Sequence, residues 1–205
     1  MSANAYLGAG PIGSALEIGA DIIITGRVAD ASLVVGCMLH SAGWAYNAFQ
    51  LGLTRESPIA DWAPEHITNP LDILAQWTVA GHLIECGAQV CGGNYSNWAE
   101  VPNLATLTLP IAEIYVDGVV KITRGQGGGG MVNRGIVAEQ LIYEIGDPAA
   151  YITPDVVVDM RNITIEDDSE DVVLVTGAIG KPEPESLKVS AAVEGGWFAA
   201  SSLLV

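Results

Sequence analysis

Short apolar runs and turn residues alternate along the first 43 positions of the chain. Residues 22–25 are β-branched and mostly apolar without alternation, a pattern typical of a short strand buried on both faces of a parallel sheet. Pro11 and Gly19 suit the beginning and end of a short helix before this strand, and an apolar helix pattern after it ends at Gly43. With residues 5–7 as the end of a first strand, this order predicts an α/β fold of mostly parallel strand–helix units.

The amino-acid composition changes in the middle of the chain. Residues 44–70 are rich in aromatic and proline residues and lack a periodic pattern, which predicts a loop-rich insertion or a lid. Asn69 and Pro70 then suit the N-cap and the first residue of a long helix. Apolar residues recur at helical spacing as far as Cys91, so we expect this helix to end at Gly92.

The second half of the chain favours antiparallel pairs of strands. Asp117 and Gly118 stand between two apolar runs and form a strong two-residue hairpin signal, because both turn positions favour positive φ. The predicted elements are strands at 111–116 and 119–123, a helix near 134–145, a second hairpin of 162–165 with 172–175, and a strand at 187–193. This half is therefore α+β.

An excess of acidic residues dominates the charge of the chain. It has 24 Asp and Glu against 8 Lys and Arg, for a formal net charge of −16. Phosphate backbones and anionic lipid headgroups repel such a chain, so neither nucleic acid nor a membrane is expected as a partner. The mean hydropathy of +0.36 is high for a soluble domain and predicts a homo-oligomer or association with further parts of a longer chain.

The cysteines and the first residues indicate the cellular compartment in which the protein is located. Cys37, Cys86 and Cys91 lie in apolar segments without zinc-ligand spacing, which predicts reduced thiols and no metal site. The first residues show neither the basic nor the apolar region of a secretory signal. We therefore expect a cytoplasmic protein.

Charged residues follow the strand predicted at residues 22–25. Arg27 and Asp30 stand at its carboxyl end, where ligands bind in open α/β sheets and in α/β barrels. A guanidinium there suits a carboxylate or a phosphate, so Arg27 is a candidate substrate-binding residue. Asp30 is a candidate acid or base; the alternative is that its carboxylate only caps the helix that follows.

A second group of polar residues lies on the long helix that begins after Asn69. His82, Glu85 and Gln89 are spaced i, i+3 and i+7 and would share one helix face. His82 and Glu85 are candidate acid/base residues, and Gln89 is a candidate substrate-binding residue. The alternative is a satisfied polar cluster on a packed helix.

Two glycine-rich stretches precede predicted helices. The stretch at 125–130 offers a run of backbone N–H groups that suits an anion cradle for phosphate, formed by Gly127, Gly128 and Gly129. The alternative is a mobile loop tip. A second stretch at 8–13 fits the spacing of the dinucleotide fingerprint in outline, with plain turn glycines as its alternative.

Five segments taken together resemble the N-terminal domain of the acyclic terpene utilisation (AtuA-like) family. They read SANAYLGAGPI, ADIIITGRVADASLVVG, AGHLIECGAQVCGG, EQLIYEIGDPAAYITPDVVVDM and KPEPESLKVS. The likeness covers nearly all of residues 2–190 and keeps the motifs in order. It implies one domain over residues 1–205 that is an internal piece of a longer protein. The family's motif positions fall on Arg27, Asp30, His82, Glu85, Gly87, Gln89, Gly92 and Gly93.

The resemblance implies a cytosolic catabolic protein for the breakdown of acyclic isoprenoids such as citronellol and geraniol, or of similar branched acids as CoA thioesters. The resulting hypothesis is an enzyme that acts on a small branched carboxylate or its CoA thioester, without a certain cofactor. Asp30, Glu85 and His82 would be catalytic, whereas Arg27, Gln89, Gly92, Gly93 and the glycine loop would bind substrate.

Two other functions stay open at this point. One is a non-catalytic subunit or scaffold that binds a partner enzyme of the same pathway. The other is an NAD(P)-dependent oxidoreductase, which requires the glycine stretch at residues 8–13 to face a ligand crevice. An enzyme instead requires the polar groups near Asp30 and Glu85 to share one pocket.

Overall fold

The computed structural model describes residues 1–44, 69–115 and 117–196. This part of the chain has the mixed α/β structure that the sequence predicts. Its helices are α1 (Gly10–Glu17), α2 (Ser32–Ser41), α3 (Pro70–Ile84) and α4 (Arg134–Leu141). Its strands are β1 (Ser2–Ala5), β2 (Pro110–Ile114), β3 (Val120–Arg124), β4 (Tyr151–Ile152), β5 (Val157–Asp159), β6 (Thr164–Ser169), β7 (Val172–Thr176), β8 (Ile179–Lys181) and β9 (Val189–Ala192).

The strands form three antiparallel sheets. Their orders are β1-β9, β2-β3-β7-β6 and β4-β5-β8. The hairpin predicted around Asp117 and Gly118 is confirmed as β2 and β3, and the second predicted hairpin is confirmed as β6 and β7. Across the described ranges, the parallel contacts are two isolated bridges, of which Leu7 with Val28 lies in the first half. The finer prediction of mostly parallel units is therefore not confirmed.

The strand predicted at residues 22–25 is wrong. This segment belongs to no strand, and the Ile22 and Ile24 side chains are 82% and 93% exposed. The apolar composition of this segment predicts that its side chains are buried, but no element in the described part of the chain covers them. The parallel bridge to Leu7 forms only at Val28, after the apolar run has ended.

Helix α3 is the centre of the core. All of its residues from Pro70 to Leu83 except Asp72 are buried. The predicted start is confirmed, since the Asn69 side chain accepts a hydrogen bond from the Leu71 N–H at 3.1 Å. The buried Gln76 amide joins this helix to β7 and to the β7–β8 connection, because it donates to the Val175 carbonyl and accepts from the Ala178 N–H.

The carboxyl end of α3 differs from the prediction. The helix ends at Ile84 instead of continuing to Cys91, and Gly87–Cys91 form a separate 3₁₀ turn. Gly87 has a φ of +58°, a left-handed conformation that interrupts a right-handed helix and that glycine adopts at no steric cost. Gln89 consequently leaves the helix face that it was expected to share with His82 and Glu85.

A close helix contact positions the residues before α2. A Cβ at Gly81 of α3 would lie only 2.6 Å from the Ala31 carbonyl oxygen at the start of α2. The absence of a side chain at Gly81 thus lets Asp30 approach the last turn of α3. No helix among the described residues is long and apolar enough to cross a membrane.

Two predictions on chain organisation remain untested. The loop-rich insertion or lid at 44–70 falls almost entirely outside the described residues. The assignment of residues 1–205 to one domain stays a prediction.

Candidate functional site

A cavity of about 130 Å³ lies between the start of α2, the end of α3 and strand β4. Asp30, His82 and Glu85 all line it, so the structure brings the three predicted catalytic residues to one place. Asp30 precedes α2, whereas His82 and Glu85 come from the last turn and the C-cap of α3. Asp30, from the segment before α2, and His82 and Glu85, from the end of α3, therefore share one cavity.

His82 is held as a neutral imidazole. Its Nε2 lies 3.0 Å from the carbonyl oxygen of Leu141, and because a carbonyl only accepts hydrogen bonds, Nε2 carries the proton. Nδ1 is then the unprotonated nitrogen. Burial lowers the pKa of His82 below 6.5, against smaller opposing effects of the Leu141 carbonyl and of Glu85. The ring therefore offers a hydrogen-bond acceptor at neutral pH rather than a positive charge.

Tyr151 lines the same cavity, and the sequence analysis did not single it out. Its ring centroid lies 5.1 Å from that of His82, with an angle of 52° between the ring planes. Burial, followed by the nearby charges of Asp30, Glu85 and Glu144, raises the pKa of Tyr151 well above its usual value. The phenol hence stays protonated and acts as a hydrogen-bond donor beside the His82 acceptor.

The residue after Glu85 in the chain forms a hydrogen bond with the Glu85 carboxylate. The Cys86 thiol donates a hydrogen bond to Glu85 Oε1 at 2.9 Å. Burial, and next the hydrogen bond to Glu85, raises the pKa of Cys86 to about 11. This thiol is thus protonated at neutral pH and unsuited to nucleophilic attack.

Arg27 and Asp30 form an ion pair at the edge of the cavity. The Arg27 Nη1 lies 3.6 Å from Asp30 Oδ1, and each side chain is nearly half exposed. No side chain caps the N-terminus of α2, so the alternative that Asp30 serves as a helix cap is wrong. The Arg27 guanidinium also lies 4.8 Å from the centroid of the Tyr6 ring, which lines the cavity.

The remaining predicted binding residues do not line this cavity. Gly92, with φ of +100°, packs against Val101, and Gly93 packs against Ala88. The Gln89 side chain holds Oε1 buried without a hydrogen-bond partner among the described residues. Substrate binding by these three residues stays a prediction.

The glycine loop also lies apart from the cavity. The Gly129 N–H donates to the Thr106 carbonyl at 2.8 Å, and the carbonyls of Gly128 and Gly129 accept from the Arg124 guanidinium. These hydrogen bonds hold the loop against Thr106 and Arg124. Phosphate binding by Gly127, Gly128 and Gly129 stays a prediction.

A buried carboxylate occupies the N-terminus of α1, where the dinucleotide fingerprint would place a pyrophosphate. Asp155 Oδ1 accepts from the Ala9 N–H at 2.7 Å, and Oδ2 accepts from the Ser32 hydroxyl at 2.5 Å. Gly8 has no space for a side chain, since a Cβ there would overlap Asp155. The glycine stretch at residues 8–13 thus faces the protein's own carboxylate instead of a ligand crevice, which argues against the oxidoreductase alternative.

Asp155 was also missed by the sequence analysis. Its sequence signal is weak: an aspartate directly before the apolar run at 156–158. Burial raises the pKa of Asp155, and the two hydrogen bonds oppose this effect. Within the described ranges, no group of three His, Cys, Asp or Glu side chains is placed to hold a metal ion.

Comparison with known proteins gives one match. The model of a family described as acyclic terpene utilisation family protein AtuA matches residues 1–52 and 61–205. No curated protein and no solved structure matches the chain.

Proposed function

Because the chain belongs to the acyclic terpene utilisation family AtuA, we propose that it is a catabolic enzyme, or a component of one, acting in the cytoplasm on an acyclic isoprenoid or branched-chain acyl group. The substrate is a carboxylate or its CoA thioester. The observation that carries this proposal is the convergence of Asp30, His82 and Glu85 on one cavity. A scaffold has no need to gather acid/base groups from distant parts of the sequence around one cavity.

The cavity suits acid/base chemistry beside a carbonyl group. Tyr151 donates a hydrogen bond to the carbonyl oxygen and thereby stabilises negative charge that develops there. Glu85 takes a proton from the neighbouring carbon, so that a C–H bond breaks, an O–H bond forms on the carboxylate and the electron pair moves toward the carbonyl oxygen. Asp30 lines the same cavity as a second acid/base group. In a substrate that carries a hydroxyl group, that group donates a hydrogen bond to His82.

The size of the cavity limits which part of a substrate it encloses. A cavity of about 130 Å³ compares with the roughly 150 Å³ that hold one benzene molecule. Ala29, Ile145 and Leu187 supply apolar lining for a short branched chain. The nucleotide part of a CoA thioester would have to lie outside.

An exchange experiment tests the proposed chemistry. The protein is incubated in D2O with isovaleryl-CoA, geranyl-CoA or the free acids, and mass spectrometry detects deuterium uptake or any other change of mass. We expect Glu85→Gln to abolish the change, whereas Glu17→Gln, an exposed substitution on α1, retains it. If Glu85→Gln leaves the rate unchanged, Glu85 has no catalytic role.

The non-catalytic subunit is the second candidate function. It is favoured by the exposure of Ile18, Ile22 and Ile24, three apolar side chains on the surface of a segment that a protein partner could cover. We propose that this surface mediates a homo-oligomer or contact with further parts of a longer chain. Light scattering of the chain and of an Ile24→Lys variant tests it: dissociation of an oligomer in the variant supports the contact, and identical masses contradict it.

A further inference from the structure

Two cations flank one aromatic ring at the outer end of the cavity. The Arg27 guanidinium and the Lys188 ammonium each lie 4.8 Å from the centroid of Tyr6. Lys188 and Tyr6 both line the cavity. Attraction to the face of the Tyr6 ring holds each cation beside it.

Lys188 differs from most other cations of the protein. Of the Lys and Arg side chains in the described ranges, five pair with a carboxylate, and these are Arg27, Lys121, Arg124, Arg161 and Lys181. Within the described ranges Lys188 makes no such pair, although the chain carries a formal net charge of −16. An ammonium without an ion-pair partner on the wall of a cavity is suited to an anionic ligand.

The inner end of the same cavity is unsuited to an anion. His82 and Thr153 are buried there, and the Glu85 and Glu144 carboxylates line the cavity together with Tyr151. Their negative charges repel an anion. The neutral donor of Tyr151 and the neutral acceptor of His82 instead match an uncharged ketone or hydroxyl group.

We propose that Lys188 binds the carboxylate of a short ligand whose other, uncharged polar end faces Tyr151 and His82. This inference rests on the proposed function and narrows it, because it favours a free carboxylic acid over a CoA thioester. In a thioester, the pantetheine arm separates the nearest phosphate from the acyl group, so no negative charge falls a few ångströms from the carbonyl. A free acid with a ketone or hydroxyl group places both groups within one small cavity.

A matched set of ligands tests the assignment. Calorimetry on the full chain compares 4-oxopentanoate, its neutral amide 4-oxopentanamide and isovaleryl-CoA, while NMR of the His82 ring reports whether the cavity is occupied. We expect the acid to bind about fivefold more tightly than the amide. Lys188→Gln should remove this preference and leave the affinity for the amide unchanged. Lys121→Gln, which alters a cation paired with Glu113 on the β2–β3 hairpin, should retain it.

The possible outcomes separate the two proposals. If the acid and the amide both shift the His82 resonance but bind with equal affinity, the anion site is refuted while the cavity remains a ligand site. The same holds if Lys188→Gln leaves the preference for the acid unchanged. Binding of isovaleryl-CoA that depends on Lys188, without binding of the acid, also overturns the choice of a free acid. If none of the three ligands shifts His82, the anion site and the proposed function both fail.

Discussion

Replacing Asp155 by alanine removes a carboxylate that joins the N-termini of two helices. Its oxygens accept from the Ala9 N–H before α1 and from the hydroxyl of Ser32 in α2. Ala9 and Ser32 are fully buried, so both donors lose their partner without direct access to bulk water. An unsatisfied buried donor costs about 1–3 kcal/mol, and the rotatable Ser32 hydroxyl lies at the low end of that range. We therefore expect Asp155→Ala to lower the free energy of unfolding by about 3 kcal/mol.

Urea denaturation provides the measurement. Fluorescence of Trp77, which is buried beside Trp44, follows the transition, and the midpoint and slope give the free energy of unfolding. Asp147→Ala is the matched control, because Asp147 also accepts from a backbone N–H but is exposed. It should cost no more than about 1 kcal/mol. If Asp155→Ala costs no more than Asp147→Ala, the carboxylate does not hold the two helices together.

The pH dependence of the same site has a definite sign. Burial raises the pKa of Asp155 in the folded state above the value of 3.8 expected for the unfolded chain. The folded state therefore binds this proton more tightly than the unfolded state, and the resulting stabilisation is complete below pH 3.8 and lost as the pH rises through the folded-state pKa. Asp155→Asn removes this titration. The stability of the wild type relative to Asp155→Asn should decrease as the pH rises; a constant or increasing difference would contradict burial as the dominant effect.

Three further predictions concern the surroundings of the cavity. Gly81→Ala should destabilise the fold by about 1–3 kcal/mol in urea denaturation despite the better helix propensity of alanine, because the new Cβ meets the Ala31 backbone; a stabilised variant would contradict the close contact. Cys86 should react with iodoacetamide at pH 8 more slowly than the exposed Cys37, and its rate should rise until the pH reaches about 11; equal rates at pH 8 would refute this. Tyr151→Phe should reduce turnover about tenfold or more without changing the urea midpoint by as much as Gly81→Ala does; unchanged turnover would exclude the hydroxyl from catalysis.

The elements whose ends are marked by capping or turn residues could be predicted from the sequence. Asn69 and Pro70 determine the start of α3 through capping and a fixed φ, and Asp117 and Gly118 determine the β2–β3 hairpin through positive φ. The end of α3 could not be predicted, because the apolar period continues past Gly87 while the backbone there turns left-handed.

Burial and long-range partners were harder to predict. Residues 22–25 have the composition of a buried strand, but composition does not say which element covers it, and the described part of the chain leaves it exposed. Asp30, His82 and Glu85 could be identified as candidates because each is a titratable residue within or next to an apolar run of the sequence. Tyr151 gave no such signal, because its role depends on neighbours that are distant in sequence and meet only in the fold.

The state of the His82 ring tests the central claim, that the cavity lined by Asp30, His82 and Glu85 is the ligand site. The chain has three histidines, so a long-range ¹H–¹⁵N spectrum of histidine-labelled protein separates them readily. We expect His82 at pH 7 to show a protonated Nε2 and an unprotonated Nδ1, with a pKa below 6.5. Adding a short branched or oxo acid, or its thioester, should shift Nδ1 of His82 and leave the exposed His40 unchanged. A charged His82 at pH 7, or a resonance that no such ligand moves, would contradict the account.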